Sequence, residues 1–265
     1  MTPLQKFVKY LLLGLIQGIT EPLPISSSGH VLIFDLLLGI NIIDINFEII
    51  INFASFLAIL FFFRKDIFEL ISNIFKGKKD TELNINYVIK LIIASLPAII
   101  VGFFLKDTID RYLMNILTLG ISFIITGILL LFASKVKSKY HDSTITNKDS
   151  LFIGIMQSIA LIPGISRSGA TLSGGLFLKK DIKSVLRFSF FMYMIVSLGS
   201  MVLMIKDIDA STIFISGYLG AFIVSLVSTF ISIKWFYNLI LTKSLKGFSY
   251  YCFILGIVIF ILKLF

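Results

Sequence analysis

A polar, proline-broken stretch interrupts an otherwise apolar chain at residues 17–30, and a near copy of it returns in the second half. The first copy reads Gln17-Gly18-Ile19-Thr20-Glu21-Pro22-Leu23-Pro24-Ile25-Ser26-Ser27-Ser28-Gly29-His30. The second reads Gln157-Ser158-Ile159-Ala160-Leu161-Ile162-Pro163-Gly164-Ile165-Ser166-Arg167-Ser168-Gly169-Ala170-Thr171. Laid over one another, Gly14 falls on Gly154, Gln17 on Gln157, Ser26 on Ser166, Ser28 on Ser168 and Gly29 on Gly169. Self-similarity at half the chain length implies two related halves. The copies differ in chemistry: Glu21 and His30 occur only in the first, Arg167 only in the second.

The surroundings of these motifs decide the solvent. With 57% hydrophobic residues in 265 and a mean hydropathy of +0.98, the chain carries more apolar side chain than a soluble domain of this size can hide. Its apolar runs near 20 residues predict a polytopic membrane protein. The net charge of +9 sits in short loops between those runs, which is an orientation signal and not a nucleic-acid footprint. One cysteine, Cys252, excludes an internal disulfide framework and reads as a packed thiol. Lys6, Lys9 and the apolar run after them imitate a signal peptide. No Ala-x-Ala-like site follows, however, and the motif's copy lies mid-chain, so the segment is expected to be retained.

Residues 4–20 read as a helix that Pro22 and Pro24 must end, and 29–40 as a second helix. Each limb is short for a crossing, so the pair predicts a re-entrant hairpin, whose irregular tip must be shielded by protein or line a wet cavity. Residues 150–162 and 169–178 predict another, around Pro163-Gly164. Spans are expected at 46–63, 87–105 (with Pro97 as a kink), 112–134, 184–205, 211–233 and 247–264. An amphipathic surface helix is expected over 66–79. The polar loop 138–149 joins the halves, about 1–137 and 150–265, into one integral-membrane domain. Arg64, Lys65, Lys76, Lys78, Lys79, Lys135, Lys137, Lys139, Lys148, Lys179, Lys180, Lys183, Lys234, Lys243 and Lys246 fall on one side. Lys6, Lys9, Lys106, Arg111, Lys206 and Lys263 fall on the other. The larger group marks the cytoplasm and leaves both termini outside. Three crossings per half turn the second half upside down. The expected fold is thus an all-α polytopic membrane protein with an inverted-topology repeat: six transmembrane helices plus two re-entrant helical hairpins meeting near mid-membrane.

The chemistry gathers at the tips. Ser26-Ser27-Ser28-Gly29 and Ser166-Arg167-Ser168-Gly169 each precede an apolar helix, and serine there is a strong N-cap signal. Two helix N-termini aimed at one point offer free N–H groups and partial positive charge. Arg167 stays charged and grips phosphate oxygens in two-point fashion, so the pair predicts a phosphate or diphosphate site. Thr171 can add a hydroxyl to it. Glu21 is costly at membrane depth and therefore functional by default, as a general base beside a serine or as a ligand for a divalent metal. The bland alternative is a structural Glu21–Arg167 pair. His30 lies one turn beyond Ser26 and Ser27 and is a catalytic candidate. Gln17, one turn before Glu21, can ligate or hydrogen-bond but cannot accept a nucleophile's proton. Asp35, Glu48, Asn52 and Tyr193 read as packing or hairpin partners, and His141 as solvated.

Gln17-x-x-x-Glu21 resembles the (Glu/Gln)-x-x-x-Glu motif of the bacterial undecaprenyl-diphosphate phosphatases, the bacitracin-resistance proteins. Pro163-Gly164-Ile165-Ser166-Arg167-Ser168-Gly169-Ala170-Thr171 resembles their Pro-Gly-x-Ser-Arg-Ser-x-x-Thr motif, and Ser26-Ser27-Ser28-Gly29-His30 their serine-rich stretch. The resemblance implies hydrolysis of a C55 polyprenyl diphosphate to the monophosphate carrier used in cell-wall synthesis, in a bacterial cell membrane with the site open to the outer face. It implies Glu21 as key carboxylate, Ser27 as nucleophile and His30 as its helper. It also implies Ser166, Arg167 and Thr171 on the diphosphate, with Mg²⁺ or Ca²⁺ as helper ion. Where many members have glutamate this chain has Gln17, so of the metal candidates Glu21 and Gln17 the second is the weaker. A polyprenyl-phosphate transporter or flippase built on the same inverted repeat is the alternative. A channel is disfavoured, since no ring of like charges appears. Gly120, Gly127, Gly217 and Gly220 offer small surfaces for packing helices within the chain or in a homodimer.

Overall fold

In the computed structural model the described residues are 2–39, 45–75, 81–136, 144–204, 214–242 and 244–264. The expectations for His141, for loop residues 138–143 and for Lys76, Lys78, Lys79, Lys137, Lys139, Lys206 and Lys243 fall outside the described residues. The described chain is helical throughout, in the order α1 (Pro3–Thr20), α2 (Ser27–Leu38), α3 (Ile45–Phe62), α4 (Arg64–Phe75), α5 (Thr81–Leu113), α6 (Ile116–Lys135), α7 (Asn147–Ile159), α8 (Arg167–Phe177), α9 (Ile182–Met204), α10 (Ile215–Thr242) and α11 (Lys246–Leu264). Four of these are long and apolar enough to cross a membrane: Thr81–Leu105, Ile116–Lys135, Ile182–Val202 and Ile215–Thr242. Asn46–Phe62 joins Arg64–Phe75 as a pair bent by 66°. The chain is a polytopic, all-helical membrane protein.

The elements follow from the sequence with shifted bounds, chiefly in α5, which begins at Thr81 and not at 87, and in α10. α5 runs eight residues past its expected end at 105, because no proline or glycine intervenes before Asn115 caps α6 through Thr118 N–H (2.9 Å). α10 likewise continues past 233 to Thr242, carrying Lys234 and Trp235 out of the apolar run. The amphipathic α4 turns away after Phe63, and its Asp66 pairs with Arg187 of α9 (3.2 Å), fastening it to the second half.

Packing repeats between the halves. α1 lies on α10, and α7, its counterpart in the second half, lies on α5. Both contacts are made by matching glycines. A Cβ on Gly14 would come 2.8 Å from Ala221 Cα, and one on Gly154 3.0 Å from Ala94 Cα, so backbone meets backbone at both places and only glycine fits. The α1–α10 pair runs parallel, since Gly14 meets Ala221 and Gly18 meets Ser225. α6 and α11, which occupy the same place in each half, run antiparallel: Gly120 meets Ile259 while Gly127 meets Phe253. Gly217 and Gly220 also pack within the chain, against Tyr10 and Leu11. Hydroxyls add a tie between α3 and α10, where Ser55 Oγ lies 3.2 Å from Ser225 Oγ and 3.0 Å from Thr229 Oγ1.

Candidate active site

Each break in a hairpin comes from a different backbone device. After α1, Pro22 and Pro24 forbid further helix, and Ile25 N–H donates to Leu23 O (2.9 Å) in a tight turn. The chain then enters α2 through Ser26 at φ +71°, a conformation that costs a non-glycine residue about 1–3 kcal/mol. After α7 the turn passes through Gly164 at φ +89°, wedged against Leu119 and Ser122, where a Cβ has no room. The caps are alike: Ser26 Oγ accepts from Gly29 N–H (3.3 Å) and Ser166 Oγ from Gly169 N–H (3.0 Å).

The two tips touch. Ser168 Oγ of the second donates to Leu23 O of the first at 2.9 Å. Glu21, its side chain only 3% exposed, stands at the junction. Its Oε1 receives Arg167 Nη2 at 2.9 Å, a bond that spans 146 positions of sequence. Its Oε2 accepts from Ser27 Oγ and from Gln17 Nε2 (2.8 Å). Gln17 Nε2 also donates to Asn52 Oδ1 of α3 (2.9 Å). Arg167 is held from behind: Nη1 donates to Ser197 Oγ (3.0 Å), and the guanidinium lies over the Tyr193 ring, 4.4 Å from its centroid. Arg167 keeps 31% of its side chain exposed, Ser27 is half-buried and Ser28 is exposed, so the cluster opens on that side. A hydroxyl donating to a carboxylate, beside a partly exposed guanidinium, is an arrangement able to move a proton next to an anion.

Not every expected residue joins. His30 is buried and turned toward α11: Nδ1 donates to Ser26 O (2.7 Å), which leaves Nε2 to accept from Tyr251 OH (2.6 Å). The ring stacks on Tyr251 and meets Phe123 edge-on. Among the described residues neither nitrogen meets Ser27, so geometry makes His30 a brace for the tip. Thr171 Oγ1 donates to Arg167 O (2.9 Å) and pairs with Ser189 of α9, so it too stiffens a helix instead of facing the opening. Ser26 and Ser166 are occupied as caps. Sequence reasoning placed Tyr193 and Asn52 as packing partners and passed over Ser197. The available signal was Tyr193-x-x-x-Ser197, two polar groups one turn apart in an apolar span.

A family model described as Bacitracin resistance protein BacA matches residues 10–258. The chain belongs to the BacA family. It is 42% identical over 258 residues to undecaprenyl-diphosphatase 2 of Bacillus thuringiensis (strain Al Hakam), covering 94% of this chain and 95% of that one. It is 39% identical over 264 residues to the undecaprenyl-diphosphatase of Oceanobacillus iheyensis, covering 96% of each. It is 38% identical over 263 residues to undecaprenyl-diphosphatase 1 of Halalkalibacterium halodurans, covering 95% and 94%.

The donor set bears on a metal. Among the described residues no three His, Cys, Asp or Glu side chains gather. Both Glu21 oxygens face protein donors, and Gln17 presents its NH₂ to that carboxylate. A hard dication needs several oxygen ligands, and one carboxylate already held by arginine does not make a resident site.

Proposed function

We propose that this BacA-family chain hydrolyses undecaprenyl diphosphate to undecaprenyl phosphate and inorganic phosphate, renewing the lipid carrier and thereby conferring bacitracin resistance. The relatives' names give the substrate; the Ser27–Glu21–Arg167 chain of contacts carries the mechanism. Arg167 and the N–H groups at the starts of α2 and α8 bind the diphosphate, with Ser28 and Ser168 at the rim. Ser27 Oγ attacks the terminal phosphorus while its proton passes to Glu21 Oε2. The bridging P–O bond breaks, the lipid phosphate leaves with its electron pair, and water then cleaves the phosphoserine. Mg²⁺ or Ca²⁺ belongs in this reading to the substrate, carried on the diphosphate oxygens. An apolar cavity of about 470 Å³ between α5 and α7 reaches Ile162, beside the second tip, and suits part of the polyprenyl tail.

In the same reading α1–α2 and α7–α8 are re-entrant hairpins entering from opposite leaflets, and α3, α5, α6, α9, α10 and α11 are six crossings. The antiparallel α6–α11 pair and the matched Gly14 and Gly154 contacts support an inverted repeat, with the site open to the outer face of a bacterial cell membrane. The decisive experiment is phosphate release from C55 diphosphate by purified protein. Wild type is expected to turn over, while Glu21→Gln stays folded and loses at least about 10²-fold. Chelator should slow turnover and leave the melting temperature of substrate-free protein unchanged. Lipid movement across proteoliposomes with no phosphate released would overturn the enzyme in favour of a flippase.

A further inference from the structure

Away from the tips, α3 and α10 enclose an apolar groove of about 630 Å³. Leu57, Leu60 and Phe61 form one wall and Val227, Phe230 and Ile231 the other. The Phe61 and Phe230 rings, with centroids 5.6 Å apart, join the two walls. Its end is cationic. Arg64 lines the groove, with its guanidinium 4.1 Å above the Phe61 ring and Nη1 donating to Phe61 O (2.9 Å). That double hold keeps the charge over the groove, where an unrestrained arginine would extend into water. Among the described residues no carboxylate pairs with Arg64; neighbouring Asp66 is taken by Arg187. On α10, Lys234 follows Phe230 and Ile231 by four and three residues, so it continues their face toward the same end. Lys65, Lys234 and Trp235 are exposed there, and a tryptophan beside cations marks the level of lipid headgroups.

We propose that this groove binds one phospholipid with an anionic headgroup, drawn from the leaflet on the cation-rich side. The acyl chains lie along the α3 and α10 walls. The headgroup phosphate and its net negative charge meet Arg64 and Lys234. A zwitterionic lipid is disfavoured, because its ammonium would face two cations, while Asp66, the neighbouring carboxylate among the described residues, is already paired with Arg187. The site is separate from the hairpin tips and does not depend on the reaction proposed for them.

The test is native mass spectrometry of the delipidated full chain titrated with phosphatidylglycerol or phosphatidylcholine, together with melting temperature in vesicles of each. Wild type should retain one phosphatidylglycerol at least about tenfold more tightly than phosphatidylcholine and melt higher in its presence. Arg64→Gln with Lys234→Gln should abolish the preference and leave phosphate release in detergent unchanged. Val227→Trp, which fills the groove and keeps both charges, should abolish retention of either lipid and decides the matter if the double variant does not fold. Equal retention of the two lipids by wild type, or undiminished preference in the charge variant, overturns the proposal. So does a dimer whose dissociation tracks the same substitutions, which would make a second copy of the chain the occupant.

Discussion

At the first tip Ser27 opens α2 with its hydroxyl on Glu21; at the matching place in the second, Arg167 opens α8 with its guanidinium on that same carboxylate. Residues the copies share do one job in both: Ser26 and Ser166 cap helices, and Gly14 and Gly154 admit a neighbouring backbone. Residues that differ make the contact between the tips. Glu21 faces the cluster, while Leu161 stands at the corresponding position of the second copy. The glutamines show the divergence most clearly. Gln17 bonds Glu21 and Asn52, whereas neither amide atom of the buried Gln157 has a hydrogen-bond partner among the described residues. A duplicated frame can therefore keep its architecture while only one copy retains the carboxylate.

Breaking the junction from either side should have the largest effect. Ser27→Ala and Arg167→Ala are each expected to lower phosphate release by about 10²–10³-fold or more, as loss of a nucleophile or a charge-stabilising group does. Near-wild-type turnover of folded Arg167→Ala would remove the second tip from the chemistry. Next in size is a paired test of the glutamines. Gln17→Leu should cost about tenfold in kcat/KM, because it strips a donor from Glu21 and leaves half-buried Asn52 without its partner. Gln157→Leu should change neither kcat/KM nor, downward, the melting temperature. Equal losses in the two would mean that the tips work alike. Tyr193→Leu removes the face under Arg167 and should cost about 1 kcal/mol, roughly fivefold in kcat/KM, with the fold retained.

The smallest expected effect concerns the base of the second hairpin. Lys180 Nζ lies 3.0 Å from Asp149 and donates to Thr144 O (2.8 Å), while Asp149 completes a capping box with Thr146. Burial pushes the Asp149 carboxyl up, but the Thr146 hydrogen bonds and Lys180 together hold it below its ordinary value. A depressed carboxylate stabilises the fold above its unfolded pKa of about 3.9, and that stabilisation is lost as pH falls through the lower folded value. The melting-temperature gap between wild type and Asp149→Asn should therefore be constant at neutral pH and narrow only below about pH 4. A gap that instead grew on acidification would contradict the assignment.

Much of this was legible before any coordinates. Prolines at 22, 24 and 163 had to break helices, serines before apolar runs had to cap them, and the repeat announced two halves. The meeting of Glu21 with Arg167 could be anticipated only as a consequence of inversion, since nothing local links residues so far apart. Tyr193, Ser197 and Asn52 stayed hidden because their roles arise where α9 and α3 pass behind the tips. The rotation of His30 toward Tyr251 was hidden for the same reason: sequence spacing sets a residue's height on a helix but leaves its partner on α11 unknown.

The exchange of partners, α1 lying on α10 and α7 on α5, bears on how such a protein comes into being. Neither half owns a complete surface for its own hairpin; each lends a long helix to the other. During synthesis the α1–α2 hairpin would therefore have to wait in the bilayer until α10 had emerged before its glycine seam could close.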